Sequence, residues 1–217
     1  MERQKFIKEK AIIVIIYIYF ITGVVWHLFP ITKGMVVVLT PFGLFFFPFL
    51  IFFLERKTIN LRTLIWLTHV FVLTIIFEII GVKTDLIFGS YFYEDTLGIK
   101  IWGVPVLIGI NWMMIIYGLF SFTGKYFNVN KLALSLITGS FAVLFDFILE
   151  PVAIKLNYWE WNSVSVPVLN YISWFVISFL FASVGFYMNT KKSRLVIHYL
   201  FAQFLFFASL NFFFKSL

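Results

Sequence analysis

Long apolar runs separated by short polar connections make up almost the whole chain. Seven runs approach or exceed the length of about 20 residues that a helix needs to cross a bilayer. They cover Ala11–Leu28, Met35–Leu54, Leu64–Gly81, Ile101–Phe122, Leu132–Leu149, Val166–Met188 and Leu195–Phe214. Because every connection is short, we predict an all-α, polytopic membrane helical bundle that forms a single domain over residues 1–217.

Composition and charge support this prediction and indicate an orientation. The chain is 62% hydrophobic and 12% charged, which is far too apolar for a soluble domain of this length. Most lysines and arginines lie before the first run and in the connections after the second, fourth and sixth runs. The positive-inside rule therefore predicts that the N-terminus is inside. Short basic clusters of this kind argue against a nucleic-acid partner.

Three acidic residues interrupt the apolar runs. Asp146 and Glu150 stand four residues apart in the stretch DFILEP, so a helix places them on one face, and Glu78 lies near the end of the third run. With the N-terminus inside, all three lie in the outer half of the bilayer. The fourth and sixth runs enter that half with polar and aromatic residues, namely Asn111, Trp112, Asn170 and Trp174. Ionisable groups inside a membrane favour a functional site.

Each acid also has a structural interpretation. Asp146 could pair with a polar group of a neighbouring helix. Glu150 could accept from loop N–H groups or mark a helix end before Pro151. Glu78 could snorkel or bond between helices.

The two outer connections, Val82–Lys100 and Pro151–Val166, are rich in aromatic residues. Tyr91 and Tyr93 belong to the first, and Trp159 belongs to the second. An interfacial aromatic belt is one interpretation of these residues. Because both connections stand next to the three acids, we expect them to form a lid or mouth over an apolar cavity.

The remaining side chains limit the chemistry. The sequence has no cysteine, no Gly-rich phosphate motif and no HExxH, and its three histidines lie on three different runs. We therefore expect neither a metal nor a soluble cofactor. A carboxyl group in a dry site favours its neutral form and can donate a proton, and aromatic walls can stabilise a cation. These parts suit protonation of an alkene in a lipid-dissolved isoprenoid, followed by water capture or ring closure.

Several stretches resemble one known family. They are LTPF from Leu39, FEIIG from Phe77, FGSYFY from Phe88, LGIKIWGVPVLIGINW from Leu97, DFILEP from Asp146, and NYWEW followed by VPVLNYISW. With this order and spacing the chain resembles the integral-membrane carotenoid biosynthesis proteins. That family includes cofactor-free carotenoid 1,2-hydratases of bacteria and bisanhydrobacterioruberin hydratases of haloarchaea. One departure is SVSV before Pro167, where a glycine-containing segment is expected.

The resemblance implies a hydratase in a bacterial or archaeal cytoplasmic membrane. It would add water across the terminal C1–C2 double bond of an acyclic carotenoid ψ-end, such as that of lycopene or γ-carotene, without a cofactor. We expect Asp146 to donate the proton, and Glu78 or Glu150 to position or polarise the water molecule. Asn111 and Asn170 would orient that water. The expected lining of the polyene channel is Trp112, Trp174, Tyr91, Tyr93 and Trp159.

Two other functions share these features. A membrane lycopene cyclase would use the same protonation and end in ring closure. A non-enzymatic carotenoid or lipid binding or transport protein would leave the pigment unaltered. The expected partners are the carotenoid substrate, membrane lipids and other enzymes of the pathway.

Overall fold

Seven α-helices account for most of residues 2–216, the part of the chain that the computed structural model describes. They are α1 Glu2–Leu28, α2 Pro30–Glu55, α3 Leu61–Thr84, α4 Val106–Tyr126, α5 Lys131–Lys155, α6 Val168–Tyr187 and α7 Arg194–Ser216. Each is long and apolar enough to cross a membrane, which confirms the predicted all-α bundle. The side chains of residues 2–8, Pro30, Lys33 and Ser216 are outside the described set, and so are the basic groups among them that contribute to the predicted orientation.

Local chemistry explains several helix ends. The side chains of Asn60 and Asn130 cap α3 and α5 by accepting from the backbone N–H three residues later. At the other end of α5, Asn157 adopts a left-handed conformation with φ 54°. The Tyr158 N–H then bonds to the Ala153 carbonyl at 2.9 Å, as in a Schellman motif. This turn sends the chain back over the end of the bundle.

Two of the predicted boundaries that are wrong lie next to the predicted site. The fourth helix begins at Val106 and not at Ile101, because two short strands, β2 Lys100–Ile101 and β3 Val104–Pro105, precede it as a hairpin. Between them Trp102 and Gly103 both have positive φ, as a tight hairpin turn requires. The fifth helix does not end before Pro151 but continues to Lys155, so Glu150 lies inside the helix and does not mark its end.

The fourth helix, α4, occupies the centre of the bundle. In its most apolar stretch 78% of the residues are buried, whereas the corresponding share is 17% for α1, which lies at the periphery. Polar pairs join the helices, as expected where lipid gives no hydrophobic drive for association. The Trp66 indole donates to the Phe181 carbonyl, and Gln203 donates to Asn111 at 2.5 Å. Gly139 of α5 brings that helix close to α6, since a Cβ there would lie 3.0 Å from the Phe175 carbonyl oxygen.

The two outer connections pair with each other. Tyr91–Tyr93 forms a strand, β1, and Trp159–Trp161 forms a strand, β4, and the two run antiparallel. Side chains alternate along a strand, so one face of this ribbon carries Phe92 and Glu160 to the outside. Its other face turns four aromatic side chains inward: Tyr91, Tyr93, Trp159 and Trp161.

Candidate active site

One buried chamber brings together the three acids that the sequence predicts. Glu78 of α3 and Asp146 and Glu150 of α5 are each at most 3% exposed and line the same cavity. We call this cavity the acid chamber. The other residues that line it are Phe88, Tyr91, Tyr93, Trp112, Trp159, Trp161, Asn170 and Trp174. Nine of the ten predicted site residues therefore meet in one place, and Asn111 is the exception.

Glu78 is held by the first strand of the ribbon. The Tyr91 and Tyr93 hydroxyls both donate to its Oε2 atom, the latter at 2.8 Å. Because the two tyrosines are two residues apart on a strand, their side chains share a face and reach the same oxygen. Burial raises the pKa of both phenols well above its ordinary value, and the neighbouring Glu78 adds to this, so both remain donors.

Glu150 is held by the second strand in the same way. The indole N–H groups of Trp159 and Trp161 each donate to its Oε2 atom at 3.0 Å. Its other oxygen, Oε1, lies 3.3 Å from the side-chain amide nitrogen of Asn170. Both carboxyl oxygens of Glu150 are therefore engaged by protein donors.

Asp146 also accepts from the side-chain amide of Asn170, but it accepts fewer hydrogen bonds than Glu150 does. The side-chain nitrogen of Asn170 donates to Asp146 Oδ2 at 2.7 Å, so this one amide connects Asp146 with Glu150. Among the described residues, none donates a hydrogen bond to Asp146 Oδ1 or to Glu78 Oε1. These two oxygens are the carboxyl atoms of the chamber that are left for a reacting molecule.

Aromatic rings form the wall between α4, α6 and the ribbon. The indoles of Trp112 and Trp174 stack with centroids 3.5 Å apart at 12°, and Phe88 stacks on Trp174 at 5.3 Å. Such faces carry negative electrostatic potential and attract a nearby cation. A positive charge formed in the chamber would therefore meet π faces as well as carboxyl groups.

The acid chamber is small, at about 20 Å³. This is enough for about one water molecule. The expected lid over a cavity is present as the ribbon, but the cavity beneath it is not apolar, because three carboxyl groups line it. In the described part of the chain, no group of three or more His, Asp or Glu side chains is arranged to hold a metal ion.

Asn111 lies outside the acid chamber. It lines a second cavity of about 20 Å³, which we call the middle cavity, and its side-chain oxygen accepts from Gln203. Asn111 and Trp112 are consecutive in α4, so their side chains point about 100° apart around the helix axis. The middle cavity nevertheless adjoins the chamber, because Trp112 and Trp159 line both.

Two chamber residues were not among those predicted for the site. Trp161 is not a predicted site residue, yet its indole N–H donates to Glu150. The signal that could have identified it is its two-residue spacing from Trp159, which puts both on one face of a strand. Phe88, which stacks on Trp174, has no such signal in the sequence, since it precedes the ribbon.

Comparison with known proteins identifies the family. Residues 13–217 match the model of a family described as carotenoid biosynthesis protein. This match covers nearly the whole chain, so the chain belongs to that family. No curated protein and no solved structure matches the chain.

Proposed function

We propose that this member of the carotenoid biosynthesis family is a cofactor-independent carotenoid hydratase. It adds water across the terminal C1–C2 double bond of an acyclic ψ-end, as in lycopene or γ-carotene. The observation that carries the proposal is the meeting of Asp146, Glu78 and Glu150 in one buried, aromatic-walled chamber. Acid-catalysed hydration of an alkene needs a proton donor, support for a cation and a held water molecule.

Proton transfer comes first. Asp146 gives its proton to C2, because its Oδ1 atom takes no hydrogen bond from a described residue. The electrons of the double bond form the new C–H bond, and a positive charge develops on the tertiary carbon C1. The rings of Trp112 and Trp174 and the nearby carboxyl groups stabilise that charge.

Water capture follows. Glu78 Oε1, which takes no hydrogen bond from a described residue, is left to hold a water molecule, and the oxygen of this water adds to C1. The proton that this oxygen loses passes to a carboxylate of the chamber, which restores the acid. The sum is one alkene and one water giving one tertiary alcohol, so no net proton or cofactor is consumed.

An outer cavity supports the supply of water. It has a volume of about 350 Å³ and shares Glu150 and Trp161 with the acid chamber. Polar side chains of Glu160, Ser163 and Ser165 belong to its lining. This composition suits water that reaches Glu150 from the membrane surface, with Trp161 between the two cavities.

Pigment analysis tests the proposal. The chain is expressed in a host that accumulates lycopene, and extracted carotenoids are weighed by mass spectrometry against a host that carries the empty vector. Hydration predicts a product heavier than lycopene by one or two water molecules. A ring-bearing product of unchanged mass would assign the chain to cyclisation. Unaltered pigment bound to the protein would indicate a binding protein.

A further inference from the structure

A large apolar groove opens sideways between α1 and α2, with α7 at its back. Its volume is about 540 Å³, and hydrocarbon and aromatic side chains dominate its lining. Ile15 and Leu39 at its edges are 53% and 43% exposed, so the groove is open to the surroundings of the bundle. We call it the α1–α2 groove. Its size lies within the range of about 300–1,000 Å³ that is typical of small-molecule sites.

The groove is elongated, and two of its polar side chains are hydrogen-bonded within their own helices. Its lining extends along α1 from Ile15 to His27, a length of about 18 Å at the helical rise. The Thr40 hydroxyl donates to the Val36 carbonyl of its own helix at 2.8 Å, and His27 Nδ1 is bonded to the Gly23 carbonyl at 2.7 Å. A long hydrocarbon suits such a site, because the hydrocarbon has no polar group that needs a hydrogen-bond partner.

The groove adjoins the middle cavity, and the middle cavity adjoins the acid chamber. Leu44 and Phe207 line both the groove and the middle cavity. Trp112 and Trp159 line both the middle cavity and the acid chamber. Three cavities therefore adjoin in a row, from the apolar side of the bundle to the three carboxyl groups.

From this arrangement of adjoining cavities we infer that the α1–α2 groove binds the polyene chain of the carotenoid while the ψ-end reaches the acid chamber. The inference rests on the proposed function, because it takes the carotenoid as the substrate. It assigns separate entrances to the two reactants. The polyene enters from the lipid through the groove, and water enters through the polar outer cavity at Glu150. Leu44 and Phe207 must rotate to admit the end-group to the middle cavity, which measures only about 20 Å³. Trp112 and Trp159 must rotate to admit it to the acid chamber, which is equally small.

Bound pigment tests the groove independently of catalysis. All variants carry Asp146→Asn, which blocks the reaction, and are purified from a lycopene-accumulating host. Lycopene per protein is then measured by extraction and absorbance. Val36→Phe fills the groove, whereas Val38→Phe is the matched control, since Val38 lies on the same helix but is 65% exposed outside the groove. We expect about tenfold less lycopene with Val36→Phe than with Val38→Phe.

A second variant keeps the test valid if Val36→Phe fails to fold. Leu39→Trp adds bulk at the open edge of the groove, where packing inside the bundle is not disturbed. Equal amounts of bound lycopene in the Leu39→Trp and Val38→Phe variants would overturn the inference. So would a purified Asp146→Asn protein that carries phospholipid but no lycopene. Those results leave the proposed function standing if the unmutated chain still hydrates lycopene. Pigment lost from the groove variants, with no hydration by the unmutated chain, refutes only the proposed reaction.

Discussion

Replacing Asp146 by Asn removes the acidic proton of the carboxyl group and changes the shape of the side chain very little. The two side chains have nearly the same shape, and the new amide oxygen can still accept from Asn170, which is 2.7 Å from the present carboxyl oxygen. The stacked rings and the ribbon keep their own bonds, which do not involve Asp146. We therefore expect a folded protein that cannot protonate the substrate.

The expected loss of activity is much larger than the expected loss of stability. General acid catalysis by a positioned side chain contributes about 10²- to 10⁴-fold in rate. At 1.36 kcal/mol for each factor of ten, this is about 2.7–5.4 kcal/mol of transition-state stabilisation. Exchanging one hydrogen bond for another should change the free energy of unfolding by less than about 1.5 kcal/mol.

The assay measures hydrated carotenoid per amount of protein in membranes supplied with lycopene. Asp85→Asn is the matched control, because Asp85 is exposed at the end of α3 with φ 59°, a conformation that Asn adopts readily. Asp85→Asn should keep full activity, and Asp146→Asn should keep about a hundredth of it or less.

A different result would reassign the proton donor. If Asp146→Asn retains more than about a tenth of the activity, Asp146 is not the general acid. Glu78 would then be the candidate, because it is the other chamber acid with an oxygen that takes no hydrogen bond from a described residue. Glu78→Gln should in that case show the large loss.

Two further predictions concern the ribbon and the loop that precedes it. Tyr93→Phe removes a donor at 2.8 Å from Glu78 and should lower the free energy of unfolding in detergent by about 1–3 kcal/mol. The exposed control Tyr126→Phe should leave the unfolding temperature unchanged, and an equal temperature for both variants would contradict this role. Gly89→Ala should also lower the unfolding temperature, because Gly89 has φ +104° and an added Cβ would lie 2.7 Å from a proline carbon. Gly34→Ala has no atom within 4 Å of its added Cβ, so a similar decrease there would show that backbone strain is not the cause.

Depth in the membrane could be predicted from the sequence, because it depends on position along each apolar run. Glu78 and Glu150 lie near the ends of α3 and α5, and Asn170 and Trp174 lie near the start of α6. All four line the acid chamber, as their predicted depth requires.

Direction around a helix and pairing between loops could not be predicted in this way. Asn111 has the expected depth, but it faces Gln203 of α7, a partner that is 92 residues away in the chain. The bonds of Trp159 and Trp161 to Glu150 depend on α5 continuing through Pro151 and on the left-handed turn at Asn157. A proline usually ends a helix, so the local sequence argued against this continuation.

Reaction in labelled water tests the central claim most directly. The purified protein in lipid vesicles is given lycopene in deuterium oxide enriched in oxygen-18, without any added cofactor. Hydration predicts a tertiary alcohol at C1 whose oxygen carries the label, with one hydrogen of solvent origin at C2. Unaltered lycopene, a ring without oxygen, or an alcohol whose oxygen is unlabelled would contradict it.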